Sequence, residues 1–479
     1  MPELGLQFQL GKKSEILAAL ICWALIAFLL LFAMTSKFSR MKTTYSTRII
    51  QEPKYQKQQR EGPEPTSPIS CDRTHYDYDM CHLNRPTAVD PTTATFFTSD
   101  PTNTTHLLVE KIRPYPRNFQ HTPFDHVREL TLTNAPSNAP CAVTHSSPAL
   151  VFSAGAWPGN FYHDFNENFI PLFITADKFF PGRDFVIGIF NCSGRFLRRY
   201  ADLLSSYTRH PIINLDEETA VHCFPSAIVG LVSHGASTVD PTLQRGPRPK
   251  TLHDFRSFVA ATYSNERAKI VQRPPVVALP WKLEGRPRLV LLNRKGARTI
   301  LNVDKVYQAA VEVGFDAVVY EPSTETSLRE DFRLIDSSHA LIAVHGAGLT
   351  NMLFLRKGSV LMQLAPKESE WLGSLFYGKM AIRLGLEYMV YDLGEGESLL
   401  GMDKATKERL ARRGGALENW VWYKELKVKL DVPRFKKHLT RAYKKAKTFM
   451  QKESLKEDYH SKMRHQLKVL GRKFKLGYK

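Results

Sequence analysis

Three short stretches hold most of the residues able to do chemistry. NRKGARTILN, from Asn293, sets Arg294, Lys295 and Arg298 after one apolar run, and HGAGLTNMLFL, from His345, sets a glycine turn after another. Arginine offers a forked donor set that matches phosphate oxygens, and lysine offers a point charge. A glycine turn opening into a helix aims backbone N–H groups at one spot. Together they suit a diphosphate or a developing anion, although such turns also serve packing alone and such cations are often only solvated. No G-x-G-x-x-G follows a strand and no G-x-x-x-x-G-K-[ST] is present, so neither nucleotide fingerprint applies. The third stretch, GNFYHDFNENFIPLF from Gly159, brings His163, Asp164 and Glu167 close together in sequence. A histidine or carboxylate in a dehydrated cleft can serve as a general base. His163 paired with Asp164 leads for that task, against the structural alternative of a helix-start histidine and a capping aspartate.

These groups need a frame, and the flanking pattern supplies one. Strands are expected at Arg288–Leu292, Phe315–Tyr320, Leu341–Val344, Val360–Leu364 and Glu387–Asp392. Helices are expected at about Asn302–Val313, with Asn302 or Asp304 as cap, then at Ser327–Asp336, Leu349–Leu355 and Ser374–Leu384. This alternation makes a doubly wound sheet with its ligand site at the strand carboxyl ends. Upstream, ALVFSAGAW reads as an opening strand, and Phe161, Phe165, Phe169 and Leu172 fall at roughly helical spacing as core. CFPSAIVGLVSHGASTVDPT holds another strand-like run and His234, either a cleft wall or, on the simpler reading, a surface turn residue. LHDFRSFVAATY closes this half as a helix, and the proline-rich VQRPPVVALPWKLEGRP makes a linker.

In this order the three stretches resemble glycosyltransferase family 61, a plant-rich group that includes xylan-decorating pentosyltransferases, over roughly residues 70–440. The resemblance implies an α/β, GT-B-type fold of two facing Rossmann-like domains, with the donor held by the second. It further implies inversion at the anomeric carbon and no essential metal or cofactor beyond the UDP-sugar. Donor contacts are implied at Arg294, Arg298, Asn302, His345, Gly346, Ala347, Gly348, Thr350 and Asn351, and the base at His163 or Asp164. Two positions depart from the family pattern of an aspartate and a glycine in the strand before the turn. His339 and Ala343 stand there, and are expected to tune donor fit without abolishing it.

Ile16 to Met34 is a 19-residue run without charge, long enough to cross a bilayer once. Lys12 and Lys13 precede it and Lys37, Arg40, Lys42 and Arg48 follow it, a bias that by itself would leave the C-terminal side in the cytosol. Other features favour a lumen. Asn103 and Asn191 head glycosylation triplets, and cysteines 71, 81, 141, 192 and 223 all follow the span. Cys71 and Cys81 are near enough for a local disulfide, and an odd cysteine is left free or pairs between chains. The expected layout is residues 1–15 cytosolic tail, 16–36 transmembrane signal anchor, 37–70 stem, 71–270 acceptor domain, 271–287 linker, 288–430 donor domain and 431–479 basic helical tail. That describes a single-pass type II Golgi membrane protein with its catalytic part in the lumen. Asp77-Tyr78-Asp79 matches a metal-binding D-x-D, but it sits between Cys71 and Cys81 rather than at a strand end of a nucleotide sheet, so no metal is assigned to it.

The net charge of +19 is concentrated: residues 424–479 hold 19 Lys and Arg against 5 Asp and Glu, which is +14. A solvated basic helix, or one drawn to an acidic polysaccharide or membrane surface, explains this better than nucleic acid. The expected activity is transfer of xylose or arabinofuranose from UDP-xylose or UDP-arabinofuranose onto xylan or another glycan, by a homo-oligomer or a hetero-oligomer with other Golgi transferases. Xylosyl transfer to N-glycan cores, another O-linked sugar transfer and a non-catalytic polysaccharide-binding scaffold are the alternatives.

Overall fold

The computed structural model describes residues 67–476 except 100–106, 119–123, 138–139, 156, 158, 265–284, 297, 324–326, 367–373, 395 and 399–425; of 374, 375 and 456–476 it describes the backbone. The expected cytosolic tail, membrane anchor, most of the stem, Asn103 and most of the linker lie outside the described residues.

In the N-terminal half, strands β1 (Ile69–Asp72), β2 (Met80–Leu83), β3 (Ala149–Ser153), β4 (Val186–Phe190), β5 (Ile212–Asn214) and β6 (Ala227–Val229) form one sheet in the order β1-β2-β6-β3-β4-β5. The run β6-β3-β4-β5 is parallel. Alternate residues of β3 and β4 enter two separate core clusters, Leu150 and Ile187 in one and Val151 and Val186 in the other. Burial on both faces is why these strands read as unbroken apolar runs. A second six-stranded sheet of mixed direction is built from residues between Thr87 and Phe224. Its strands are two to four residues long, and nothing in the pattern announces it. The CFPSAIV stretch links the sheets, with His222–Phe224 in the second and Ala227–Val229 as β6 of the first.

Three helical pieces follow one another without a break after β3. They are α1 (Phe161–His163), a π-helical segment (Asp164–Phe169) and α2 (Ile170–Phe179). Asn160 starts them by accepting a hydrogen bond from the Tyr162 N–H at 3.1 Å. Phe165, Phe169 and Leu172 are buried and Phe161 partly so. Helix α3 (Gly194–Ser205) is capped by Ser193, whose hydroxyl accepts from the Phe196 N–H, and α4 (Leu252–Ser264) closes this half.

The C-terminal half is a five-stranded parallel sheet. Strands β7 (Arg288–Leu292), β8 (Asp316–Tyr320), β9 (Ala340–Val344), β10 (Val360–Ala365) and β11 (Glu387–Asp392) lie in the order β8-β7-β9-β10-β11. Helix α5 (Val303–Val313) stops at Gly314, whose φ of 116° is open to glycine. Helix α6 (Leu328–Asp336) starts on the Ser327 hydroxyl, which accepts from the Glu330 N–H at 3.3 Å. Two helices differ from expectation. Residues Ala347–Phe354 wind as a 3-10 helix, and Ser374–Gly378 is π-helical before α7 (Lys379–Arg383). Every residue from Gly348 to Phe354 is buried, so packing on all sides, and no single amphipathic face, sets the winding.

The basic tail begins as α8 (Val432–Leu476). Phe435, Leu439, Ala442, Ala446 and Phe449 recur at helical spacing and are buried, most of them against the core of the five-stranded sheet, leaving Lys436, Lys437, Lys444, Lys445 and Lys447 exposed. One apolar cluster joins the two halves: Phe165, Phe255 and Val259 share it with Leu292, Phe332 and Leu353.

Candidate active site

At the end of β7 the chain turns back on itself. The Asn293 side chain accepts from the Ile300 N–H at 2.8 Å, and the Thr299 hydroxyl donates to the Arg294 carbonyl at 2.7 Å. Thr299–Ile300 also pairs in parallel with Lys427–Val428. Arg298 takes a left-handed φ of 57° in this loop and is buried, a strained arrangement of the kind that collects at functional sites. Burial lowers the pKa of both Arg294 and Arg298, and for Arg298 the neighbouring Arg294 charge lowers it further. Two cations that oppose each other in a buried mouth are relieved by an anion between them.

The glycine turn faces this pair. Gly346 has φ 144°, and a Cβ there would collide with the Arg298 guanidinium. A Cβ on Gly348 would meet Leu292 at 2.9 Å and the Arg294 Cδ at 3.8 Å. The 3-10 helix begins at Ala347, so its leading N–H groups belong to the same mouth. His345 is buried and its pKa is pushed down to about 4, by desolvation first and then by Arg298; it is neutral near pH 7. The Gln363 amide lies 3.3 Å from His345 Nδ1, and the Tyr388 hydroxyl donates to the Gln363 carbonyl oxygen at 3.2 Å. With its oxygen so engaged, Gln363 donates its N–H to Nδ1, which leaves the ring hydrogen on Nε2. Among the described residues Asn351 Oδ1 is buried without a hydrogen-bond partner, while the Asn351 amide nitrogen donates to the Gly348 carbonyl at 2.9 Å.

The other half of the site is built on α1 and the π segment. The sequence pairs His163 with Asp164; the structure does not. His163 Nδ1 is 2.8 Å from Glu167 Oε2, because residues four apart stack on one helix face whereas adjacent ones diverge. Glu167 is fully buried, and its second oxygen accepts from Arg117 Nη1 and the Asn166 amide, each at 2.6 Å. Burial alone would raise the Glu167 pKa, but the hydrogen bonds and charges of His163 and Arg117 outweigh it and hold the carboxyl below its usual range. Arg117 itself has φ 78°, with its N–H given to the Asp77 carbonyl. Asp164 turns into the core instead, accepting from the Tyr200 hydroxyl at 2.7 Å and the Gly159 N–H at 3.3 Å. Desolvation raises its pKa to about 7. Asp164 thus lies in the core, while His163, with Glu167 behind it, is only partly buried.

The halves meet at these groups. Tyr162 packs edge-on against Tyr377 with centroids 5.8 Å apart, Tyr377 against His345 at 5.4 Å, and Phe161 against Phe354 at 6.1 Å. All three motif stretches therefore converge on one place.

Several expected residues stand elsewhere. Asn302 neither caps α5 nor faces the mouth: its amide donates to the Leu430 carbonyl at 2.9 Å and accepts from the Leu430 N–H at 3.0 Å, bracing the arginine loop from behind. His339 precedes β9 at its amino end, accepting from the Arg288 N–H at 2.9 Å, a strand's length from the turn; it is placed to hold β7, not to tune donor fit. Ala343 lies buried between β7 and β10. The Asn191 amide is engaged within the fold, accepting from Ser153 Oγ at 2.8 Å and the Arg128 N–H at 2.9 Å and donating to the His126 carbonyl. Its Nδ2 has a second hydrogen position beyond the His126 bond. His234 is no surface turn residue: it is half-buried, accepts from the Asp240 N–H at 3.1 Å, and burial pushes its pKa to about 4. Asp79 pairs with Arg73 at 3.0 Å, and among the described residues no cluster of His, Cys, Asp and Glu is arranged to hold a metal. Cys71 is bridged to Cys81 and Cys141 to Cys223, while Cys192 is free and buried.

Arg117, Gln363 and Tyr377 were missed. Arg117 stands fifty residues before Glu167 in no recognisable motif, and only the fold brings it near.

Residues 161–362 match the sequence model of the family Glycosyltransferase 61. The chain is 32% identical over 435 residues to xylan glycosyltransferase MUCI21 of Arabidopsis thaliana, spanning 87% of this chain and 86% of that protein. It is 29% identical to alpha-1,3-arabinosyltransferase XAT3 of Oryza sativa subsp. japonica, over 78% of this chain and 64% of that protein. Beta-1,2-xylosyltransferase XYXT1 of the same species is 30% identical, over 69% of this chain and 71% of that protein.

Proposed function

The chain belongs to glycosyltransferase family 61 and is a glycosyltransferase, and from that premise we propose that it moves xylose or arabinofuranose from a UDP-sugar onto the xylan backbone with inversion. The relatives' printed activities, xylan glycosyl, arabinosyl and xylosyl transfer, support the substrate class. One geometric observation carries the mechanism: the His163–Glu167 pair and the Arg294, Arg298 and His345 mouth are joined through Tyr162 and Tyr377.

In the proposed step, His163 Nε2 takes the proton of an acceptor hydroxyl, while Glu167 holds the Nδ1 hydrogen and stabilises the imidazolium that forms. The acceptor oxygen bonds to the anomeric carbon from the face opposite the diphosphate, the carbon–oxygen bond to the diphosphate breaks, and UDP leaves. Arg294, Arg298, the neutral His345 and the turn's N–H groups receive the charge that develops on the leaving oxygens. Since these cations fill the place a divalent ion takes in other sugar transferases, we propose that no metal is needed. A GT-B arrangement of two Rossmann-like halves around this cleft is part of the same proposal. So is a Golgi-lumenal site behind an anchor at residues 16–36, with which two disulfides are consistent.

The deciding experiment is a donor screen with the full-length protein in detergent, in the presence of EDTA. UDP-xylose, UDP-arabinofuranose, UDP-N-acetylglucosamine and UDP-glucose are offered with xylo-oligosaccharides. Mass gain of one pentose is expected. Transfer of a hexose alone, or of nothing while UDP fails to bind by calorimetry, overturns the proposal.

A further inference from the structure

We propose that Trp157 is the stacking platform of the acceptor site: a pyranose ring of the acceptor lies on its indole face and thereby brings the reacting hydroxyl to His163. The inference rests on the pentosyltransferase proposal above and deepens it by naming a specificity-determining side chain.

Trp157 stands on the loop between β3 and α1, past the carboxyl end of a parallel strand, the side of an α/β sheet where ligands bind. Its indole is nearly parallel to the His163 imidazole, with centroids 5.9 Å apart and planes 22° apart. His163 reaches the surface here, and Trp157 keeps 40% of its surface exposed. A large apolar side chain therefore keeps part of its face open to water directly beside His163.

The acceptor chemistry calls for such a group. Xylan's backbone is a neutral sugar chain, so it offers hydroxyls and flat C–H faces for recognition rather than charge. The charged groups nearest His163 are already engaged: both Glu167 oxygens are hydrogen-bonded, and Arg117 is spent on them. What remains is apolar contact, and tryptophan supplies the largest rigid face at small entropic cost. Base catalysis also needs the hydroxyl held within hydrogen-bond reach, and an indole 5.9 Å from the imidazole sets a ring stacked on it beside His163.

The test compares full-length unaltered protein with Trp157→Ala and Trp157→Phe, using the pentose donor and xylo-oligosaccharides of increasing length. For Trp157→Ala, acceptor KM should rise on the order of tenfold, while donor KM and the pH midpoint of kcat stay in place; Trp157→Phe should recover most of the loss. An unchanged acceptor KM overturns the inference. So does a moved pH midpoint with acceptor KM steady, which would make Trp157 a positioning residue for the imidazole. Should the alanine variant fail to fold, Trp157→Leu, apolar but not flat, decides by the same criteria. Lack of transfer by the unaltered protein overturns the function and this inference together, whereas transfer with insensitive variants overturns the inference alone.

Discussion

His163 depends on a carboxylate one helical turn away, and that dependence makes the site testable at single atoms. Glu167→Gln keeps the shape but removes the charge that stabilises a protonated imidazole, so kcat should fall roughly a hundredfold or more. Donor KM should hardly move, because the donor mouth is a different set of residues; a kcat within a factor of about three of the unaltered protein would remove Glu167 from the mechanism. Arg294→Ala should instead abolish UDP binding by calorimetry without lowering Tm, since Arg294 is only half-buried and no core is built on it. Asp164 answers to a different measurement. Its carboxyl is buried and titrates near 7 in the folded protein against 3.8 ordinarily. The folded state therefore holds a proton that the unfolded state has released, and the stability this gives is complete below about pH 4 and is lost as pH rises through about 7. Asp164→Asn cannot ionise, so its Tm relative to the unaltered protein should climb between pH 5 and pH 8. A constant difference across that range would show that Asp164 stays charged.

At the level of elements, the mouth depends on a backbone that only glycine permits. Gly346 combines φ 144° with the Arg298 guanidinium where a Cβ would go. Gly346→Ala should cost about 1–3 kcal/mol of stability and, by displacing Arg298, weaken UDP binding at least tenfold; an alanine variant that binds UDP normally would separate the turn from the donor site. How much of this was legible follows from the physics of each element. The strands β7, β9 and β10 and the helices α5 and α6 were readable, because doubly buried parallel strands write continuous apolar runs and Ser327 and Gly314 punctuate the helices; the partly exposed edge strands β8 and β11 were placed by the strand–helix alternation. The π segment was not, since a one-residue widening leaves no periodic mark in a stretch buried from Asp164 to Phe169. It carries Asp164 and Glu167, the residues that bond Tyr200 and His163. The second sheet escaped for another reason: its strands are too short for alternation to show, and their pairings join residues far apart in the chain, as with Cys223 opposite Ala88.

At the scale of the molecule, the two halves are packed together. Phe255, Val259 and Tyr263 of α4 share one core with Leu328, Phe332 and Ile335 of α6. Charge reinforces the seam. Arg199 of α3 reaches Asp331 of α6 at 2.8 Å with both side chains nearly out of water, and the Tyr320 hydroxyl donates to the other Asp331 oxygen at 2.6 Å. Arg256 bonds Asp336 and the carbonyls of Phe354 and Leu355, so an arginine of the N-terminal half fastens the end of the 3-10 helix that follows the glycine turn. Buried pairs of this kind add little when intact but cost about 3–5 kcal/mol when one partner is removed, because the other charge is stranded. Arg199→Met should therefore lower the stability of both halves at once. Calorimetry should show a single transition in the unaltered protein and a single, lower one in the variant. UDP, although its proposed site lies in the C-terminal half, should raise that one transition without splitting it, since a ligand of the folded state stabilises everything that unfolds cooperatively with its site. Two resolved transitions, with UDP moving only one of them, would mean that the shared core does not couple the halves and that they close on substrate as independent bodies.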